Sequence, residues 1–120
     1  MKGLPPALRK RKRYIAFRLI ANSEVESKEL ALAIWESLIS LFGDYYSAHS
    51  GIWLEYFDGE YGILRCHHTA LEKVKVALTL TSRVGNKEII PIILGVSGTI
   101  KRCEKKYLEV LKDAFATDGL

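Results

Sequence analysis

Histidine, cysteine and carboxylate side chains are the groups in this 120-residue chain that could carry acid–base, nucleophilic or metal chemistry. Their spacing favours none of the three. His49, His67 and His68 fall on an expected loop and strand end, with no glycine elbow or metal motif around them. Cys66 adjoins His67 and His68, yet neighbours on a strand point to opposite faces, so these three cannot converge on one ion by themselves. Cys66 and Cys103 lack C-x-x-C spacing, which makes a zinc site or a disulfide framework an unlikely design for this chain. Glu55 is the one acid at an expected sheet position and reads as a rim charge. A convergent nucleophile, base and oxyanion set is missing. The expectation is a protein with no catalytic residues, no metal and no cofactor of its own.

The basic residues have a stronger pattern. "RKRKRYIAFRLI" places five consecutive cations, Arg9, Lys10, Arg11, Lys12 and Arg13, directly before an alternating segment. Of 18 Lys and Arg, six lie in residues 1–13 with no acid among them, which leaves twelve cations against 14 acids in the rest. The net +4 therefore resides in an N-terminal arm. Such an arm suits a polyanion, because each cation set on a phosphate releases condensed counterions. A second basic constellation is "GVSGTIKR", Gly95 to Arg102. There a strand gives way to glycines and hydroxyls, and a helix opens with Lys101 and Arg102 in its first turn. Two readings stay open: an anion seat using Ser97 and Thr99, or an ordinary Thr99 N-cap after a tight turn.

These groups need elements to position them. Residues 1–12, with Pro5 and Pro6, read as a flexible basic arm, 13–116 as one domain and 117–120 as a tail. Arg13 to Ile20 alternates, with Ile15, Phe17 and Leu19 on one face and Tyr14, Ala16 and Arg18 on the other. Leu30, Ala33, Ile34, Leu38 and Leu41 form a helical stripe, opened by a Ser23–Glu26 capping box or by Ser27 and closed at Gly43. Ile52–Phe57 and Glu60–His67 flank Asp58-Gly59, a two-residue hairpin signal. Thr69 and Glu72 cap a second helix that is predicted to run to Val84 before Gly85. "EIIPIILGV" reads as a strand covered on both faces, with Pro91 at a sheet edge or bulge. Thr99 opens a last helix with Ile100, Cys103, Tyr107, Val110, Leu111 and Ala114 on its apolar side.

The order β-α-β-β-α-β plus a helix predicts an α+β fold of the ferredoxin-like, split βαβ kind. It is a four-stranded antiparallel sheet with two helices on one face and an extra C-terminal helix. Tyr14, Arg18, Ile63 and Arg65 share the face opposite those helices, on the two central strands. Stacking aromatics are sparse there, so burial under the last helix or a partner is preferred to base reading. No apolar run reaches the length of a membrane span and no secretory signal is seen, so a cytoplasmic location away from membranes is expected.

"RYIAFRL" after the basic arm and above all "LGVSGTIKRCEKKYL" resemble the archaeal ribonuclease P component 2 family, related to a eukaryotic ribonuclease P/MRP subunit. The likeness runs from about Arg13 to Leu111. It implies a protein subunit of the RNA-based endoribonuclease that removes the 5′ leader from precursor tRNA. The ribonuclease P RNA, with Mg²⁺ bound to it, performs the hydrolysis. The resemblance further implies a partner, ribonuclease P protein component 3, with two copies of each protein. Contacts to RNA then fall to Arg9–Arg13, Tyr14, Arg18, Arg65, Ser97, Thr99, Lys101 and Arg102. Trp35, Trp53, Phe57 and Ile63 become candidates for protein contacts. The rival reading is a ferredoxin-like interaction or regulatory module whose basic arm is incidental.

Overall fold

The computed structural model describes residues 11–109. The arm cations Arg9 and Lys10, and the expected helix positions Val110, Leu111 and Ala114, lie outside that range. Strands β1 (Lys12–Ala21), β2 (Trp53–Phe57), β3 (Tyr61–His67), β4 (Arg83–Val84) and β5 (Lys87–Ser97) form an antiparallel sheet in the order β2-β3-β1-β5-β4. Helices α1 (Ser27–Phe42), α2 (Asp44–Ala48), α3 (Leu71–Leu80) and α4 (Ile100–Cys103) complete the α+β fold, α4 running on as a wider π-helical segment, Glu104–Glu109.

The alternation of β1 builds two layers. Ile15, Phe17 and Leu19 face α1 and α3 and join Leu30, Ile34, Leu38, Val74, Ala77 and Leu78 in the main core. Phe17 is fully buried, sits over Gly62 and stacks on Phe57 with ring centroids 6.2 Å apart. Burial of one such ring contributes about 1.5–3 kcal/mol. On the opposite face Ala16, Tyr61 and Ile63 form a smaller core with Cys103 and Leu108. The C-terminal helix therefore covers the middle of that face, leaving no open sheet for bases there.

Several sequence expectations change. The sheet has five strands, not four, because α3 stops at Leu80 rather than Val84. The Thr81 hydroxyl bonds back to the Ala77 carbonyl at 2.7 Å, and Ser37 donates to the same oxygen at 2.9 Å. Arg83 and Val84 then turn through Gly85 (φ 62°) and Asn86 to pair with Glu88 and Lys87. A short α2 follows Gly43, and Leu41 stays exposed rather than joining the α1 stripe. Neither capping box forms: Glu26 is the α1 N-cap and Ala70 that of α3, each without a side-chain cap bond. The β2–β3 turn contains Glu60 as well as Asp58 and Gly59, with Asp58 Oδ1 accepting from the Glu60 and Tyr61 amides.

β5 is covered on both faces only toward its end, since Ile90 is 61% and Ile92 40% exposed. Gly95 lies within this strand, as the run Glu88–Val96 predicts, and the Tyr107 ring fills the space its Cβ would need. The bulge in the β1–β5 ladder falls at Leu94, between the pairs Phe17–Ile93 and Ala16–Gly95. Pro91 stands three residues before it, past the reach of β4, where β5 is an outer edge. The Ile89 amide points away from β1, donating to Ser82 O at 3.0 Å, and Pro91 two residues on faces the same way. Its missing N–H thus costs no bond to β1.

Candidate functional site

The start of β1, the ends of β3 and β5 and the beginning of α4 meet at one end of the sheet. The ladder pairs Lys12 with His67, Arg13 with Cys66, and Tyr14 with both Arg65 and Ser97. Arg11, just before the strand, is also held: its carbonyl accepts from the His68 amide at 2.7 Å, and its own amide lies 3.2 Å from His68 Nδ1. Two residues assigned to a flexible arm are therefore fixed to the sheet. Arg11 and Lys12 are exposed and Arg13 half-buried, its Nη1 donating to the Lys12 carbonyl at 3.0 Å. The root of the cationic run has a defined position because backbone pairing, not side-chain contact, sets it.

The register makes a row across four strands: Trp53, Arg65, Tyr14 and Ser97 are successive partners on the face opposite α1 and α3. Arg65 is held at 2.9 Å by Glu55, the residue at the β2 bulge between Leu54 and Tyr56. Tyr14 is half-buried, and the Cys103 thiol lies 3.7 Å from its carbonyl, so α4 closes over this part of the row. Ser97 is buried. The Thr99 hydroxyl accepts from the Arg102 amide at 3.2 Å, which makes it the expected N-cap, while Lys101 and Arg102 project into solvent. Six cations, Arg11, Lys12, Arg13, Arg65, Lys101 and Arg102, thus share one end of the fold, with Glu55 and Glu104 the acids set among them. Arg18 does not join them. Five residues along β1, roughly 16 Å away at ~3.3 Å per residue, it pairs with Glu60 at 2.8 Å and lies over the Tyr61 ring.

Of the residues expected at a protein partner, Ile63 is fully buried beneath Cys103 and Leu108, and Phe57 packs into the main core. Ile63 is closed to a partner in this fold, whereas Phe57 is only half-buried. The strand position of Ile63 looked outward only because the helix above it is distant in sequence. Trp35 is half-buried and borders a small cavity of about 110 Å³ with Ile52 and Trp53. Trp53 stands 60% exposed.

Burial pushes the Cys66 thiol up to about 11, against a smaller opposing effect of Arg13. Cys103 is likewise pushed up to about 11 by burial, with Glu104 adding to it. Neither is a nucleophile at neutral pH. Among the described residues, no three His, Cys, Asp or Glu side chains converge to hold a metal ion. Also among them, no helix is long and apolar enough to cross a membrane. A groove of about 1040 Å³ runs between α1 and the β4 turn, where Lys87 pairs with Glu29 at 2.9 Å. It is lined by neither histidine nor cysteine. Sequence reasoning missed the exposed aromatic pair Tyr45 and His49 on α2, since it ended the helix at Gly43. Their four-residue spacing was the available signal.

A protein of Archaeoglobus fulgidus named Ribonuclease P protein component 2 is 60% identical over 110 residues, spanning 92% of this chain and 100% of that one. Proteins of the same name from Pyrococcus furiosus and Methanocaldococcus jannaschii are 44% and 38% identical. The first match covers 89% of this chain and 91% of the relative, the second 93% and 84%. A chain of the cryo-EM structure of yeast ribonuclease MRP shares the fold with a TM-score of 0.60 at 10% identity, over 91% of this chain and 94% of that chain. The model of the Rpp14/Pop5 family matches residues 13–108. On these grounds the chain belongs to the Rpp14/Pop5 family.

Proposed function

We propose that this chain is a protein subunit of ribonuclease P, the particle that removes the 5′ leader from precursor tRNA. It supports the catalytic RNA by setting positive charge against RNA phosphates and is not itself the catalyst. The observation that carries this reading is the gathering of Arg11, Lys12, Arg13, Lys101 and Arg102 at one end of the sheet, with the first three placed by strand pairing. A subunit that props up folded RNA needs phosphate contacts more than base readout, which suits a sheet face largely closed by α4. Full-length likeness to proteins named for ribonuclease P supports the assignment to that particle.

Several finer points belong to the same reading. The four long strands in the order β2-β3-β1-β5, with α1 and α3 on one face, support a ferredoxin-like fold to which β4 adds an edge. Arg9 and Lys10 extend the charged run toward RNA, and Tyr14, Arg65, Ser97 and Thr99 brace its root. Arg18 is a separate and weaker RNA contact. Mg²⁺ acts on the RNA, which performs the hydrolysis. The protein partner is component 3, two copies of each, and the open Trp53 with Trp35 beside it is the surface offered to it. The particle works in the cytoplasm.

Reconstitution is the test. Adding the full chain and its partner protein to a ribonuclease P RNA raises the rate of leader removal or lowers the Mg²⁺ needed. Leader removal by the purified chain with Mg²⁺ and no other RNA would overturn the proposal. A second reading, an interaction module, draws on the exposed Ile20, Ile90 and Ile92 beyond the reach of α4. It requires that removing the basic run leave reconstituted activity unchanged.

A further inference from the structure

Helix α2 carries a feature that the phosphate-binding reading does not use. Tyr45 is 81% exposed, the most open of the large hydrophobic side chains described. Its ring lies against that of His49, with centroids 4.4 Å apart and planes inclined by 31°. The His49 ring is held in turn, since Nδ1 lies 2.8 Å from the Tyr45 carbonyl. A carbonyl can only accept, so Nδ1 carries the proton. One face of the tyrosine is thus backed by an imidazole and the other is open to solvent.

The mount beneath this pair is rigid. Ser47 and Ser50 are buried, and their hydroxyls donate to Gly43 O and Ser47 O at 2.7 Å each. The Tyr46 ring packs on Phe42 with the Lys73 ammonium 4.6 Å from its centroid. The mount is also joined to the basic end. Ser50, next to His49, accepts from the His67 amide at 2.9 Å, and the His67 ring rests against Gly51. His68 then bonds Arg11. A continuous chain of backbone contacts therefore ties the Tyr45–His49 pair to the root of the cationic run.

We infer that Tyr45, backed by His49, is a stacking platform for an unpaired RNA base whose flanking phosphates lie on Arg11, Lys12 and Arg13. The inference rests on the RNA-binding reading above and adds a site for single-stranded RNA to it. An exposed aromatic on the same framework as a cationic run is an arrangement that binds unpaired bases without sequence preference. A protein contact would use the ring equally well, but the cations linked to it through Ser50, His67 and His68 favour a polyanion. Asp44 is the acid next to Tyr45 in the chain, at the start of α2.

The test uses the full chain and two probes: an adenosine-only RNA of about twelve nucleotides and a blunt RNA duplex of equal charge. Tyr45→Ala should weaken binding of the single strand about ten-fold, leave its salt slope in place and leave duplex affinity unchanged. Tyr45→Phe, which keeps the ring, should restore single-strand binding. An exposed position lets both variants fold, which circular dichroism checks. Unchanged single-strand affinity in Tyr45→Ala overturns the platform and assigns the ring to a protein contact. Equal loss on both probes also overturns it, because the ring would then serve charge placement rather than stacking. If the unaltered chain binds neither probe at low salt, the RNA-binding reading fails along with the platform; retained salt-dependent binding with an indifferent Tyr45 sinks the platform alone.

Discussion

Cys66 and Cys103 sit on opposite sides of the sheet, one in each core, and neither has a water-facing atom to spare. With both thiols pushed to about 11 by burial, the folded state keeps its protons where the unfolded chain, near 9, gives them up. Stability is complete below pH 9, where both states hold the protons. It falls as pH rises toward 11, by up to about 3 kcal/mol per thiol. Urea unfolding at pH 7.5 and about pH 10 checks this: Cys66→Ala and Cys103→Ala variants should show a shallower decline than the unaltered chain. At this scale the sequence was informative about direction. Pleat alternation already separated Cys66, His67 and His68, and the three do point to the core, to Gly51 and to Arg11. The Arg65–Glu55 pair was not read from the sequence, because it needs the β2–β3 register.

The C-terminal helix is the element whose placement decides what the sheet face can do. It is docked by Cys103 and Leu108 against Ala16 and Ile63, and by Tyr107 lying on the bare backbone of Gly95, with its hydroxyl 3.5 Å from the Val96 carbonyl. A methyl at position 95 cannot be accommodated while the ring stays. Gly95→Ala should therefore destabilise the fold by about 1–3 kcal/mol, and adding Tyr107→Ala should recover part of that loss, as a double-mutant cycle by thermal unfolding would show. The glycine that ends the apolar strand run in the sequence is there for a contact with a residue twelve positions on. Strand order and the two-helix layer were legible because alternation and 3.6-residue stripes are local signals. The end of α3 was not. Thr81 and Ser37 hydroxyls compete for the Ala77 carbonyl, and a two-residue turn at Gly85-Asn86 lay inside what looked like helix and cap.

For the whole molecule, charge is distributed by topology rather than by composition alone. Three chain segments distant in sequence bring cations to one end, while the acids at 29 and 60 are tied to Lys87 and Arg18 elsewhere. Replacing Arg11, Lys12 and Arg13 with Ala should leave the unfolding midpoint nearly unchanged, since backbone pairing carries the strand. The same change should reduce the log–log salt slope of RNA binding by about 2 to 3. An unaltered slope by filter binding or anisotropy would remove the strand root from the RNA site. The clustering could be foreseen only in part: the run at residues 9–13 was evident, but its union with Lys101 and Arg102 required the β1–β5 register. The outward-facing Pro91 bears on how the protein behaves before any assembly forms. Beyond the two-residue β4, the outer edge of β5 continues without a strand partner, and such an edge can pair with a neighbouring chain. A residue without an N–H there withholds one donor from that margin, which disfavours edge-to-edge pairing of copies.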